Sequence, residues 1–405
     1  MTDHPDLQAY YPFSRLGRLL DGLAPGRSPA DDGAPILLSI GEPQHQPPKF
    51  VAEEIARHAA GWSRYPPARG TEAYREAATA WLLRRYGLPP SAAATGGMLD
   101  PARALLPLPG TREGLFFAAL ATIPRSSNGQ RPVVLIPNPF YHVYAGAALA
   151  AGAEPVFVRA TRETGFLPDF AALDPALLER TAYCTLCSPS NPQGAAASLE
   201  QLQELITLAR RHDFVVAFDE CYAELYNDRP PTGAVEAAAA LDGSLDRMLV
   251  FHSLSKRSSA PGLRCGFAVG EPGLVDALGG VLQVGGAGVP LPTLAAGTRL
   301  WQEQDHVERN RAHYRANFAV AERVLGNRFG FRKPDGGFFL WLEVGDGEAA
   351  AVELWRSAGI KVLPGAYMCA EDEGGENPGN AYIRVALVYD RDVTEAALGR
   401  IGEVL

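Results

Sequence analysis

Short apolar runs recur through the middle of the chain, each separated from the next by a stretch long enough for a helix. Val133–Ile136, Pro155–Val158, Ala182–Leu186, Phe214–Phe218, Met248–Phe251 and Gly266–Val269 read as buried strands. Leu105–Leu108 is a further apolar run, and it stops at Pro109-Gly-Thr-Arg-Glu113, a helix opening. The clearest helix lies between two of the runs. Ser198 and Gln201 form a capping box, and Leu202, Leu205, Ile206 and Ala209 then keep i, i+3, i+4, i+7 spacing up to Arg210, Arg211 and His212. Strand and helix in alternation predict an α/β protein with a mainly parallel sheet and right-handed crossovers. In such sheets ligands bind beyond the carboxyl ends of the strands.

The pattern changes after Pro290-Leu-Pro292. A long Arg-rich helical stretch, Thr298 to Leu325, leads into Gly336-Gly-Phe-Phe-Leu-Trp-Leu342, which reads as a strand. A last strand over Tyr382–Val388 and a closing helix follow. The expected division is a large domain over 45–289 and a smaller α+β domain built from 1–44 and 290–405. Glu371–Asn380 is an acidic, Gly-rich surface loop.

Composition narrows the function. The chain has 405 residues and a net charge of −9, with no basic run, which argues against nucleic acid and anionic membrane surfaces as partners. The N-terminus lacks an apolar secretory core, and the uncharged stretch Ala277–Thr298 is too broken by Gly and Pro to span a membrane. Five cysteines do not make a disulfide framework, and Cys184-x-x-Cys187 falls inside a predicted strand, so a cytoplasmic protein with reduced thiols is expected. Only four lysines are present: Lys49, Lys256, Lys333 and Lys361. Any chemistry that needs an amine must use one of them.

Four segment ends carry groups that buried strands rarely tolerate without a purpose. The Phe214–Phe218 run ends in Asp219, a carboxylate that needs a cationic neighbour, with Tyr222 just beyond. Met248–Phe251 runs into His252-Ser-Leu-Ser-Lys256, and Ala182–Leu186 into the turn Ser188-Pro-Ser-Asn-Pro-Gln-Gly194. The Gly110-Thr111 helix start suits a phosphate.

These pieces, together with Ser253-Leu-Ser-Lys-Arg-Ser-Ser-Ala-Pro-Gly-Leu-Arg-Cys-Gly266 and Ile383-Arg-Val-Ala-Leu387, resemble the fold-type I pyridoxal-phosphate aminotransferases over most of the chain. The resemblance implies a large domain with a mainly parallel seven-stranded sheet and pyridoxal 5'-phosphate as cofactor. Lys256 matches the family's Schiff-base lysine, which also moves the proton. Asp219 matches the partner of the pyridinium nitrogen, and Asn191 and Tyr222 the partners of the ring oxygen. Tyr141 matches the aromatic that stacks on the ring, although His142 stands where the family pattern has proline. Thr111, Arg112, Ser253, Ser255 and Arg264 match the phosphate-binding groups. Tyr65 resembles a tyrosine that reaches the phosphate of a neighbouring subunit, which implies a homodimer with shared sites. Arg384, in mid-strand, matches the clamp on the substrate α-carboxylate, with Asn191 and the Gly41 backbone beside it.

Within that family, Leu38–His45, Asp100–Phe117, Tyr10–Leu19 and Val362-Leu-Pro-Gly with Asn377-Pro-Gly resemble N-succinyldiaminopimelate aminotransferases. The implied substrates are N-succinyl-LL-2,6-diaminopimelate and 2-oxoglutarate. Aspartate, LL-diaminopimelate or acetylornithine as donor, a lyase or decarboxylase, and a non-catalytic cofactor-binding regulator are the alternatives. Both implied substrates carry a carboxylate remote from the reacting carbon. Arg15, Arg69, Arg112 and Arg257 are equal candidates to meet it.

Overall fold

The computed structural model describes residues 6–405 apart from 31–32, 128, 287 and 373. Twelve strands are present among them: β1 (Ile36–Leu37), β2 (Leu105–Leu108), β3 (Val133–Asn138), β4 (Glu154–Arg159), β5 (Thr181–Cys187), β6 (Val215–Asp219), β7 (Met248–Ser253), β8 (Gly266–Gly270), β9 (Phe339–Glu343), β10 (Ile360–Lys361), β11 (Leu363–Pro364) and β12 (Tyr382–Ala386). Seven of them form one sheet in the order β2-β8-β7-β6-β5-β3-β4. Pairing is parallel from β4 through β7, and β8 runs antiparallel to both β7 and β2.

Helices cover both faces, which is why the central strands are apolar throughout. Along β6, Val216 and Phe218 enter one core cluster while Val215 and Ala217 enter the other. Along β7, Met248 and Val250 point one way, and Leu249 and Phe251 the other. Phe218 and Phe251 are both fully buried and stabilise the fold by about 1.5–3 kcal/mol each. The helices Glu72–Tyr86, Leu199–Arg211, Ala234–Leu241 and Leu291–Gln302 pack on the first face, and Thr111–Thr122, His142–Ala150 and Pro272–Gly285 on the second. The capping box at Ser198 and Gln201 forms as the sequence predicts.

Cys184 and Cys187 both lie in β5 as buried free thiols, on opposite faces of the sheet. The C-x-x-C spacing here is strand packing.

A three-stranded antiparallel sheet, β11-β12-β9, follows, and β1 pairs in parallel with β10. The strand expected over 336–342 starts later, at Phe339, because Gly337 has φ +86 and Gly336 bridges to Tyr226 instead. The single helical stretch expected from Thr298 to Leu325 is two helices, Leu291–Gln302 and Asp305–Leu325. The break lies at Glu303, which is extended and whose carboxylate accepts the backbone N–H of His306 at 3.1 Å. The extended backbone at Glu303 ends the first helix, and its carboxylate satisfies one of the free N–H groups that open the second.

Candidate active site

The parallel strands all end at one edge of the large sheet, and the loops beyond them enclose a cavity of about 510 Å³. The antiparallel β8 begins at that same edge, since Ser253 pairs with Gly266. Its approach therefore delivers Arg264, two residues before it, beside the ends of the parallel strands. Arg264 takes a left-handed backbone conformation to do so, with φ 52.

Twelve of the thirteen predicted residues line this cavity: Gly41, Thr111, Arg112, Tyr141, Asn191, Asp219, Tyr222, Ser253, Ser255, Lys256, Arg264 and Arg384. The thirteenth, Tyr65, is 99% exposed and does not reach it. Among the four lysines, Lys49 is exposed, Lys333 pairs with Asp228 at 3.1 Å and Lys361 lies against the Trp355 ring. Lys256 alone faces the cavity.

Lys256 sits in the short turn of helix that follows β7, and its Nζ donates to the Gly41 carbonyl. The Phe338 ring lies 5.2 Å from the amine. Burial holds the amine at about 8, well below the usual lysine range. Gly41 is required by close approach: a Cβ there would meet Phe339 at 2.4 Å.

Asp219 closes β6 and is buried, with no arginine, lysine or histidine within ion-pair distance among the described residues. Tyr144 Oη donates to its Oδ2 at 2.7 Å and the Cys221 N–H to its Oδ1 at 3.3 Å. Burial pushes its pKa up, while Tyr144, Cys221 and the Lys256 charge pull the other way. Tyr144 was not among the predicted site residues. It stands one helical turn from Tyr141, and i, i+3 spacing at the start of a helix was the available signal.

At the phosphate end, Thr111 is the first residue of a twelve-residue helix, and Gly110 before it has φ +115. A Cβ on Gly110 would meet Arg264 Nη2 at 2.3 Å, so only glycine leaves that space open. Ser253 Oγ donates to Ser255 Oγ at 2.9 Å, both buried. Arg264 Nη2 donates to both oxygens of Glu113, at 2.9 and 2.6 Å. Arg112 Nε donates to Tyr141 Oη at 2.9 Å, and burial raises the Tyr141 pKa.

Arg384 reaches the cavity from β12. Its Nη1 donates to Asn191 Oδ1 at 3.0 Å and its Nη2 to the Ser39 carbonyl at 2.6 Å. The guanidinium lies 4.3 Å from the Phe339 ring centre, burial lowers its pKa to about 10, and its buried Nε has no partner. Of the four candidates for the remote carboxylate, only Arg112 lines the cavity. Arg69 pairs with Asp276, Arg257 donates to the Leu300 carbonyl at 2.7 Å, and Arg15 lies over the Tyr367 ring at 4.2 Å.

A lysine held near neutrality, an acid without a cation and an arginine without an anion, gathered at one sheet edge, define an α/β enzyme that works through an amine and a bound charged cofactor. The comparisons give the family. The family model for aminotransferase class I and II matches residues 34–401. A Streptomyces rimosus 4-dedimethylamino-4-oxo-anhydrotetracycline transaminase, OxyQ, is 33% identical over 377 residues, 93% of this chain and 95% of that protein. An LL-diaminopimelate aminotransferase from Dehalococcoides mccartyi is 30% identical over 374 residues, 90% of each chain. Among solved structures, an aminotransferase from Neisseria meningitidis superposes with a TM-score of 0.88 at 34% identity, covering 97% of both chains. Aminotransferase AspB from Helicobacter pylori gives 0.86 at 32%, covering 100% of this chain and 99% of that one. The chain belongs to the class I and II aminotransferases, whose cofactor is pyridoxal 5'-phosphate.

The residues fit that group. The space beside Gly110 lies between a helix N-terminus, two serines and Arg264, a donor set for a phosphate. The unpaired Asp219 carboxylate offers a partner for a protonated ring nitrogen.

Proposed function

We propose that the chain exchanges the 6-amino group of N-succinyl-LL-2,6-diaminopimelate with 2-oxoglutarate, giving L-glutamate. The observation that carries this reading is the pair of cavity arginines, Arg112 and Arg384, neither of which has a carboxylate within ion-pair distance among the described residues. Two guanidiniums without carboxylate partners in one cavity suit substrates with carboxylates at both ends. The Leu38–His45, Asp100–Phe117 and Val362–Gly365 segments support the succinylated donor by resemblance.

Bound pyridoxal 5'-phosphate supplies an electron sink for the charge that develops at the substrate α-carbon. In this reading Thr111, Ser253, Ser255 and Arg264 hold its phosphate, Asp219 holds the ring nitrogen and Asn191 and Tyr222 the ring oxygen, with Tyr141 against the ring. Lys256 would hold it covalently and, once its amine is freed, would act as the base that takes the α-proton and the acid that delivers it in the 1,3-proton shift. A pKa near 8 suits an amine that must do both near neutrality. Arg384 grips the α-carboxylate, and Gly41 closes the wall with its backbone. Tyr65, 99% exposed, is free to reach the phosphate site of a second copy, and on this reading the protein is a homodimer with shared sites, working in the cytoplasm. Sedimentation as a monomer at micromolar concentration would remove that role for Tyr65.

The 30% identical LL-diaminopimelate aminotransferase favours a second reading, the unsuccinylated donor. The two separate on a donor panel with 2-oxoglutarate, scored by glutamate formed. The succinylated diaminopimelate is expected to give the highest kcat/KM, and no glutamate from it would overturn the assignment.

A further inference from the structure

One cavity residue has no part in the chemistry above. His142 opens the helix His142–Ala150, and its imidazole lines the cavity beside Arg112 and Arg384. Its ring meets Tyr141 edge-on at 4.7 Å and Tyr11 at 5.1 Å, so aromatic faces fix its orientation. Neither ring nitrogen has a hydrogen bond to another described residue, although the ring is largely sheltered from bulk water. A placed imidazole with both nitrogens unspent, on the wall of a substrate cavity, is a recognition group without its ligand.

The charges around it say what that ligand is. The groups facing His142 are the Arg112 guanidinium from the Thr111–Thr122 helix, the Arg384 guanidinium from β12, and the Tyr141 and Tyr11 rings. Among the described residues no carboxylate shifts it. Burial and the two arginines hold the ring neutral, at about 4. An anion bound there offsets the two arginines and places a negative charge against the ring, which favours the proton although burial still opposes it.

We propose that His142 is a specificity-determining contact, donating a hydrogen bond to the second carboxylate of a dicarboxylic substrate on the wall it shares with Arg112. This rests on the reading of the cavity as a site for substrates with two carboxylates, and it adds a proton to that reading. Because the liganded ring holds its proton more tightly than the free ring, binding takes up a proton. Affinity rises as pH falls through the liganded ring's pKa and levels off below about 4. A monocarboxylate held by Arg384 alone leaves Arg112 unneutralised and gains much less.

The test uses the holoenzyme with two unreactive probes, glutarate and butyrate, followed by calorimetry in buffers of different ionisation enthalpy. Wild type is expected to take up protons with glutarate, whereas His142→Gln, which keeps a donor but cannot titrate, takes up fewer. His142→Phe keeps the ring shape and is expected to weaken glutarate about tenfold, with butyrate changed less than about twofold. Equal weakening of both probes by His142→Phe, or equal proton uptake in wild type and His142→Gln, overturns the proposal. Wild type that binds glutarate no better than butyrate overturns it as well, by removing the two-carboxylate reading beneath it. Glutarate preference that survives both variants unchanged sinks the role of His142 alone.

Discussion

Two buried arginines of this chain live in opposite surroundings. Arg311 is wholly satisfied. Its Nη2 donates to Glu224 Oε2 at 2.6 Å, its Nε to the Glu224 carbonyl at 2.9 Å and its Nη1 to Glu308 at 2.6 Å, over the Tyr226 ring. Glu224 is satisfied in turn, accepting from the Trp81 indole at 2.9 Å. Arg384 is equally buried but has only an amide oxygen and a carbonyl as acceptors, and its Nε has none. Asp219 is the matching case among acids. A fold that can pair a charge so completely at Glu224 yet leaves Asp219 and Arg384 unpaired at one cavity keeps those two for something else to complete. Arg257, also buried without an ion pair among the described residues, lies outside the cavity over the Trp81 and Trp301 rings, so an unpaired charge marks the site only where it faces the cavity.

The sharpest break of that contrast is at Lys256. Lys256→Ala is expected to lower transamination by at least about 10⁴-fold, since it removes both the attachment point and the proton carrier. Stability should not fall with it. Burial holds the folded amine at about 8 against an ordinary 10.5, so the folded state bears the cost of a charged buried amine in full below pH 8, and that cost fades as pH rises from 8 to 10.5. Cofactor-free Lys256→Ala should therefore melt no lower than the cofactor-free wild type at neutral pH. A variant that retains turnover would refute the assignment.

Crossing the two arginines comes next. Arg384→Leu is expected to cost about 10²–10³-fold in kcat/KM, the loss of one partner of a charged pair with the substrate, at little cost in folding stability. Arg311→Leu leaves buried Glu224 with only the longer Arg85 contact at 4.0 Å and should cost about 3–5 kcal/mol of stability. Denaturant titrations beside steady-state kinetics read both effects. If Arg384→Leu unfolds the protein as readily as Arg311→Leu, Arg384 is structural and the contrast fails.

Much of the site was legible before any fold was known, and the reason is physical. Asp219 and Lys256 each follow a continuous apolar run, where a charge is costly, and the strand-end rule places both at one edge. Arg264 obeys no such rule, because it precedes its strand; only the antiparallel direction of β8 brings it round. The pairing of Arg311 with Glu224 joins residues 87 apart in sequence, and no local spacing announces it. The same holds for the narrowing of four candidate arginines to Arg112, since Arg69 pairs with distant Asp276 and Arg257 is buried outside the cavity against the Leu300 carbonyl. The two-residue strands β1, β10 and β11 are too short to carry any periodic signal.

The smallest expected effect concerns Tyr144, which separates an acid that is merely buried from one that is kept ionised. Its hydroxyl donates to Asp219 at 2.7 Å and pulls the carboxyl pKa down against the upward push of burial. Tyr144→Phe keeps the ring and deletes only that bond, so the Asp219 pKa in the cofactor-free protein should rise by about one unit, the value of one such hydrogen bond. A protonated ring nitrogen needs the ionised carboxylate. Cofactor affinity is therefore full above the free Asp219 pKa and declines as pH falls through it. Equilibrium dialysis of pyridoxal 5'-phosphate across the acid range should show the decline beginning about one pH unit higher in Tyr144→Phe. The gap between the two proteins should narrow as pH rises, because Asp219 then ionises in both. Curves that coincide at every pH would mean the Tyr144 hydroxyl does not set the charge of Asp219, and that this carboxylate depends on the cofactor alone to stay ionised.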